Sequence, residues 1–102
     1  VFPSVGSGVY AATKSAVKSM VNTLAAELAP YGIRVNGYIP GVIDTDMNRD
    51  LSEADRRQLL GEIPLEKLGT PRDVAETILF LASRRADYIT GQVFSVNGGM
   101  VL

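Results

Sequence analysis

The stretch IRVNGYIPGVIDT, Ile33 to Thr45, changes character partway along. Ile33 to Pro40 is rich in β-branched and aromatic residues and reads as a strand, which Pro40-Gly41 then turns aside. Just upstream, Pro30, Tyr31 and Gly32 end a long apolar helix, so helix and strand share a compact connection. Downstream, QVFSVNGG, Gln92 to Gly99, is a second strand closed by a glycine turn, and a helix starting at Gly69-Thr70-Pro71 lies between the two strands. Strand, crossover helix and strand make a parallel pair. Parallel strands need cover on both faces and neighbours at both edges, which two strands cannot supply. The order helix, strand, flap helix, helix, strand is therefore that of an α/β protein, half of a doubly wound parallel sheet.

The first helix is expected from Gly8 to Ala29 with Ser7 as N-cap. Its apolar positions, from Val9 through Ala12, Ala16, Val17, Met20 and Val21 to Leu24, Ala25 and Leu28, make a stripe wider than one face needs. Cover on two sides follows, either inside a larger domain or between a sheet and a partner subunit. Thr70, Pro71 and Asp73 start the last helix, which runs to about Ser83 with Val74, Ala75, Ile78, Leu79 and Ala82 as its inner face. Arg84 and Arg85 at its end suit the carbonyl pole of the helix dipole. Between strand and last helix, the polar stretch from Asp44 to Glu62 holds a short helix that Ser52 caps with Asp55 three residues on. It reads as a plain surface excursion or as a substrate flap.

Composition narrows the chemistry. The 102 residues suffice for one small domain, with 46% hydrophobic and 21% charged residues and a net charge of −1. Scattered Lys and Arg give no footprint for nucleic acid, and no apolar run is long enough to span a bilayer. With no His and no Cys, the usual acid–base, nucleophilic and metal-binding side chains are missing, and a cytoplasmic setting fits. No metal is expected; Asp44 and Asp46 lack a third convergent ligand and read as turn carboxylates. The chain opens on Val1 without Met, so it reads as a possible segment of something longer.

One pair could still move a proton. Tyr10 and Lys14, in VYAATKSAV, stand four apart and address one small volume on a helix. A tyrosine hydroxyl has a pKa of about 10, and a fixed ammonium nearby favours the phenolate. The pair reads as a general acid or base with its electrostatic tuner, or as an aromatic anchor beside a solvated charge. PGVIDT, Pro40 to Thr45, adds a loop at the C-terminal end of a strand, where open α/β sheets bind ligands. There Pro40 fixes the exit direction, Gly41 permits close backbone approach, and the Thr45 hydroxyl can bond an amide or phosphate.

YAATKSAV, AAELAPYGIRVNGYIPGVIDTDM, IPLEKLGTPRDVAETILFLAS and YITGQVFSVNGGM together resemble the C-terminal part of the short-chain dehydrogenase/reductase family, in particular the bacterial 3-oxoacyl-(acyl-carrier-protein) reductases. The resemblance covers essentially the whole chain and implies a partial domain over residues 1–102, a Rossmann-like sheet and hydride transfer between NAD(P)H and a carbonyl. It implies Tyr10 as general acid and Lys14 as the group that lowers its pKa and holds the nicotinamide ribose. Pro40, Gly41 and Ile43 would border the nicotinamide, Thr45 would bond near its carboxamide or the pyrophosphate, and residues 46–68 would be the substrate loop. NADP is the implied cofactor, with NAD the alternative, and the partner is a small or carrier-bound carbonyl substrate. A homo-oligomer, tetramer or dimer, is implied through the long helix and the last helix and strand. The family's glycine-rich cofactor turn and catalytic Ser normally precede the region matched, and neither Ser4 nor Ser7 has the spacing of that Ser. The isolated chain is accordingly expected to be inactive. A non-catalytic association or complementation fragment is the alternative; so is a reductase of another ketone, on modified elongation factor P, a sugar or a steroid.

Overall fold

A computed structural model describes residues 7–45 and 50–100, with side chains from residue 11 onward. Five elements follow in order: α1 (Ser7–Leu28), β1 (Gly37–Pro40), α2 (Glu53–Gly61), α3 (Pro71–Ala82) and β2 (Val93–Val96). The strands pair in parallel with Gly37 opposite Val93 and Pro40 opposite Val96. Successive strand residues point to opposite faces. Gly37 faces α1, and a Cβ built on it would lie 3.1 Å from Val21 Cγ2. Tyr38 faces the other way and shares a cavity with Asp73 and Thr77 of α3. The two longer helices thus cover opposite faces, as in a doubly wound sheet.

The direction of α1 can be read from two contacts. Val21 lies against Gly37, while Ala25, one turn later, lies against Gly91, which precedes β2. Moving forward along α1 therefore means moving backward along the strands. The N-terminal turns of α1 stand at the C-terminal end of the sheet.

The first strand is shorter than the run Ile33 to Pro40 implied, because its first half is held by side-chain bonds beside the Gly91 amide to Val35 carbonyl bond at 2.8 Å, without a regular ladder. The Val35 amide donates to Thr90 Oγ1 at 3.0 Å. Asn36 donates to the Ile89 carbonyl at 3.0 Å and accepts from the Gln92 amide at 3.2 Å. Arg34 donates to the carbonyls of Leu81, Ile89 and Ser83, at 2.9, 3.2 and 3.3 Å. Regular pairing begins where these residues end. Likewise, β2 occupies only the middle of Gln92 to Gly99.

The end signals act as expected. The Ser52 hydroxyl accepts from the Asp55 amide, and Thr70 and Asp73 form a reciprocal capping box with Pro71 in the first turn of α3. Helix α1 includes Ser7 itself and stops at Leu28, after which a 3-10 turn, Ala29–Tyr31, leads to Gly32 at φ 73°. Only the left-handed region allows this reversal, which is why Gly stands there.

Packing within these residues covers less of both long helices than their apolar positions imply. Helix α1 is covered on one side: Val21 and Ala25 are buried, but Val17, Met20 and Leu24 are exposed. On α3 the residues turned inward are Val74, Thr77 and Leu81, all half-buried, while Ala75, Ile78, Leu79 and Ala82 of the expected inner face are exposed. Amphipathic periodicity marks both sides of a helix that will be covered, without saying by what. The buried apolar core among the described residues is Val21, Ala25, Ile63, Leu68 and Ala86. The radius of gyration, 15.9 Å, exceeds the about 13 Å of a compact domain of this length.

Candidate active site

The residues singled out by sequence converge on the C-terminal end of the strands. Lys14 precedes Val21 by seven residues, about 10 Å of helix, and Pro40 follows Gly37 by three, about 10 Å of strand. Since α1 runs against β1 and is level with it at Val21, the Lys14 turn stands level with Pro40. Tyr10, one turn further out, stands level with the loop beyond. Lys14 is half-buried; the Tyr10 side chain lies outside the described residues, although its backbone is helical. Helical spacing sets both on one face of α1.

The loop Pro40 to Thr45 is held by its backbone. The Gly41 amide donates to the Val96 carbonyl at 2.9 Å, the Gly69 amide to Val42 at 2.9 Å, and the Asp44 amide to Gly69 at 2.7 Å. Ile43 and Gly69 form a parallel bridge. A Cβ on Gly41 would lie 2.6 Å from Asn97 Cα. The close approach that Gly41 permits is thus by the β2 terminus. Pro40 and Thr45 are exposed, and Ile43 is half-buried. Asp44 faces Arg56 of α2 at 3.5 Å, both side chains well exposed, a pairing worth little in water. No group of three ligating His, Cys, Asp or Glu occurs among the described residues. Residues 46–49, at the start of the expected substrate loop, lie outside the described residues.

Behind this loop a cavity of about 310 Å³ is lined by Tyr38, Ile43, Leu68, Asp73, Thr77 and Gly98, among others. The Tyr38 hydroxyl is buried with no hydrogen-bond partner among the described residues. Burial, and to a lesser degree the Asp73 charge, raises its pKa above the ordinary tyrosine value. Asp73 is held below the ordinary carboxylate value, first by the Thr70 amide, then by the Thr70 hydroxyl and the charge of Lys67. Sequence reasoning missed Arg34, Asn36 and Asn97. A charge and an amide within an otherwise strand-like run, and an amide just before a glycine pair, were the available signals.

Residues 1–101 match the family model described as enoyl-(acyl carrier protein) reductase. The chain is 45% identical over 102 residues to the 3-oxoacyl-[acyl-carrier-protein] reductase of Thermotoga maritima, covering 100% of this chain and 42% of the relative. It is 46% identical over 91 residues to an uncharacterized oxidoreductase of Bacillus subtilis, covering 89% of this chain and 38% of the relative. The crystal structure of 3-oxoacyl-[acyl-carrier protein] reductase from Brucella melitensis superposes with a TM-score of 0.84 at 41% identity, over 91% of this chain and 35% of that one. The chain thus spans about two fifths of the curated relatives it matches. Parallel strands between opposed helices, a Tyr-x-x-x-Lys helix level with the strand-end loop, and these matches place the chain in the short-chain dehydrogenase/reductase family.

Proposed function

We propose that this chain carries the proton-donating side of a nicotinamide-dependent carbonyl reductase, acting on a 3-oxoacyl thioester. The observation that carries the reading is the level alignment of the Tyr10 and Lys14 turns with the loop Pro40 to Thr45 at the C-terminal strand ends. The Lys14 ammonium and the Thr45 hydroxyl are donors of the kind a ribose hydroxyl or carboxamide needs, so they fit the nicotinamide end of NADP, or of NAD. When bound, that group supplies a hydride to the carbonyl carbon. Tyr10 supplies the proton to the carbonyl oxygen, and Lys14 stabilises the phenolate left behind. Pro40 and Gly41 fix where the loop leaves the sheet, Ile43 offers backbone to the carboxamide, and residues 46–68 form the substrate loop.

The names of the relatives favour a carrier-bound 3-oxoacyl group over the enoyl group of the family description; residues 47–60 would choose between it and the ketone of modified elongation factor P, a sugar or a steroid. Among the described residues, no helix is long and apolar enough to cross a membrane, and we place the reaction in the cytoplasm. The test is a fusion of this chain behind the N-terminal three fifths of the Thermotoga maritima relative. It should oxidise NADPH with a 3-oxoacyl thioester, and Tyr10→Phe should lower kcat by about 10²–10⁴-fold. Undiminished turnover in Tyr10→Phe removes the tyrosine from the mechanism. The 102-residue chain alone should show no turnover.

A second reading, association without catalysis, draws on Met20, 62% exposed on α1, and Leu79, 68% exposed on α3. Both helices offer apolar faces to a homo-oligomer or to a complementing half. A monomer by light scattering at high concentration rejects it.

A further inference from the structure

Among the described residues, three glycines stand where a Cβ would come closer than 3.0 Å to a neighbour, and all three lie at the neck of one excursion. Gly41 begins it, against Asn97; Gly69 ends it, 2.8 Å from Ile43 Cδ1; Gly98, at φ +65°, receives its returning limb, 2.8 Å from Ile63 Cγ2. A Cβ on Gly99, at φ +91°, would lie 3.1 Å from Pro64, and the Leu65 amide donates to the Gly98 carbonyl at 3.0 Å. The turn receiving Ile63 is itself braced: the Gly99 amide donates to Asn97 Oδ1 at 3.0 Å, and Asn97 Nδ2 donates to the Met100 carbonyl at 2.9 Å. Ile63 is 2% exposed, whereas α2, immediately before it, has no buried residue.

We propose that Gly98 and Gly99 form a socket for Ile63 and Pro64 that sets the height of the segment 50–68 over the sheet, and that Gly69 passes this setting to Val42–Asp44. Gly98 is then a positioning residue for substrate. The Ile63 methyl is buried and held by its own turn, in which the Glu66 amide donates to Ile63 O at 2.7 Å, so it cannot swing clear of a new side chain. The Gly69 contact, by contrast, is with the far end of the Ile43 side chain, which can yield. Displacement would therefore start at the socket and reach the strand-end loop through the paired bonds of Gly69. The catalytic consequence rests on the function proposed above; the socket does not.

Hydrogen–deuterium exchange on the 102-residue chain tests the socket without any assay of activity. In Gly98→Ala, the Leu65 and Gly69 amides should exchange about tenfold faster or more, while the Gly37 amide, donating to Gln92 O at 2.8 Å, keeps its protection. Unchanged rates, or equal acceleration at Gly37, overturn the proposal. Repeating the substitution in an Ile63→Ala background separates contact from backbone strain. The effect should shrink there, because the methyl that the new Cβ strikes is gone; an undiminished effect assigns everything to φ and overturns the socket. Should Gly98→Ala not fold, Ile63→Ala alone must still accelerate Leu65 and Gly69 over Gly37, while Gly61→Ala, which meets nothing within 4 Å, must not. In the fusion described above, Gly98→Ala should raise KM for the acyl substrate severalfold with kcat within about twofold. An unaltered KM beside altered exchange removes the positioning role, and a fusion inactive without any substitution refutes the function while leaving the exchange result to decide the socket.

Discussion

The two ends of the β1–β2 sheet are held by different physics. At the end where the strands begin, side chains reinforce the backbone bonds of Val35 and Gly37: Arg34 reaches three carbonyls around the end of α3, Asn36 bonds in both directions, and the Val35 amide donates to Thr90. At the end where the strands finish, the joining is by backbone proximity at Gly41, Gly69 and Gly98. Polar side chains fix a scaffold while tolerating small shifts, since each bond bends over a few tenths of an ångström. Contacts made by the absence of a Cβ set distance instead, and they leave the surrounding side chains free for chemistry. The candidate site occupies the second end.

Substitutions at the two ends probe this contrast. The largest effect should come from Gly41→Ala, whose new methyl meets immovable backbone of Asn97; the cost should be about 3 kcal/mol in urea unfolding, as overpacking of a tight contact requires. A cost under about 1 kcal/mol would mean that the β2 terminus yields, and would break the comparison. Arg34→Met keeps the stem and deserts three carbonyls, so it should cost roughly 2 kcal/mol, the scale of hydrogen bonds from a charged donor. Between the ends lies Tyr38, whose buried hydroxyl lacks a partner; Tyr38→Phe should stabilise by about 1 kcal/mol, and a loss of stability would reveal a partner for the hydroxyl. The smallest effect is a pH dependence at the α3 cap. Asp73 titrates lower folded than unfolded, so its contribution is complete above the unfolded value of about 4 and is lost as pH falls through the lowered folded value. Thr70→Val should flatten that acid limb.

Local signals were legible and distal ones were not. Ser52 and Thr70 cap the helices they announce because capping is a contact between residues three apart, and Gly32, expected with Pro30 and Tyr31 to end the first helix, follows it in a left-handed conformation. The strand limits were misjudged because Arg34 and Asn36 engage carbonyls some fifty residues away, a contact that no local pattern encodes. The face of α3 was misjudged for a related reason: Ile78 and Leu79 are spaced for burial, but both are exposed among the described residues.

For the site, sequence chose the Tyr10 and Lys14 pair and the loop Pro40 to Thr45, since helical spacing and strand-end placement are both functions of short separations along the chain. Only the tertiary structure decided that α1 runs against β1 and so brings pair and loop to one level. Only it showed that Gly41 serves Asn97, and that Gly98 receives Ile63. Those are relations between segments far apart in sequence, fixed by which neighbours can approach a backbone that carries no Cβ, and that is a property of the folded packing alone.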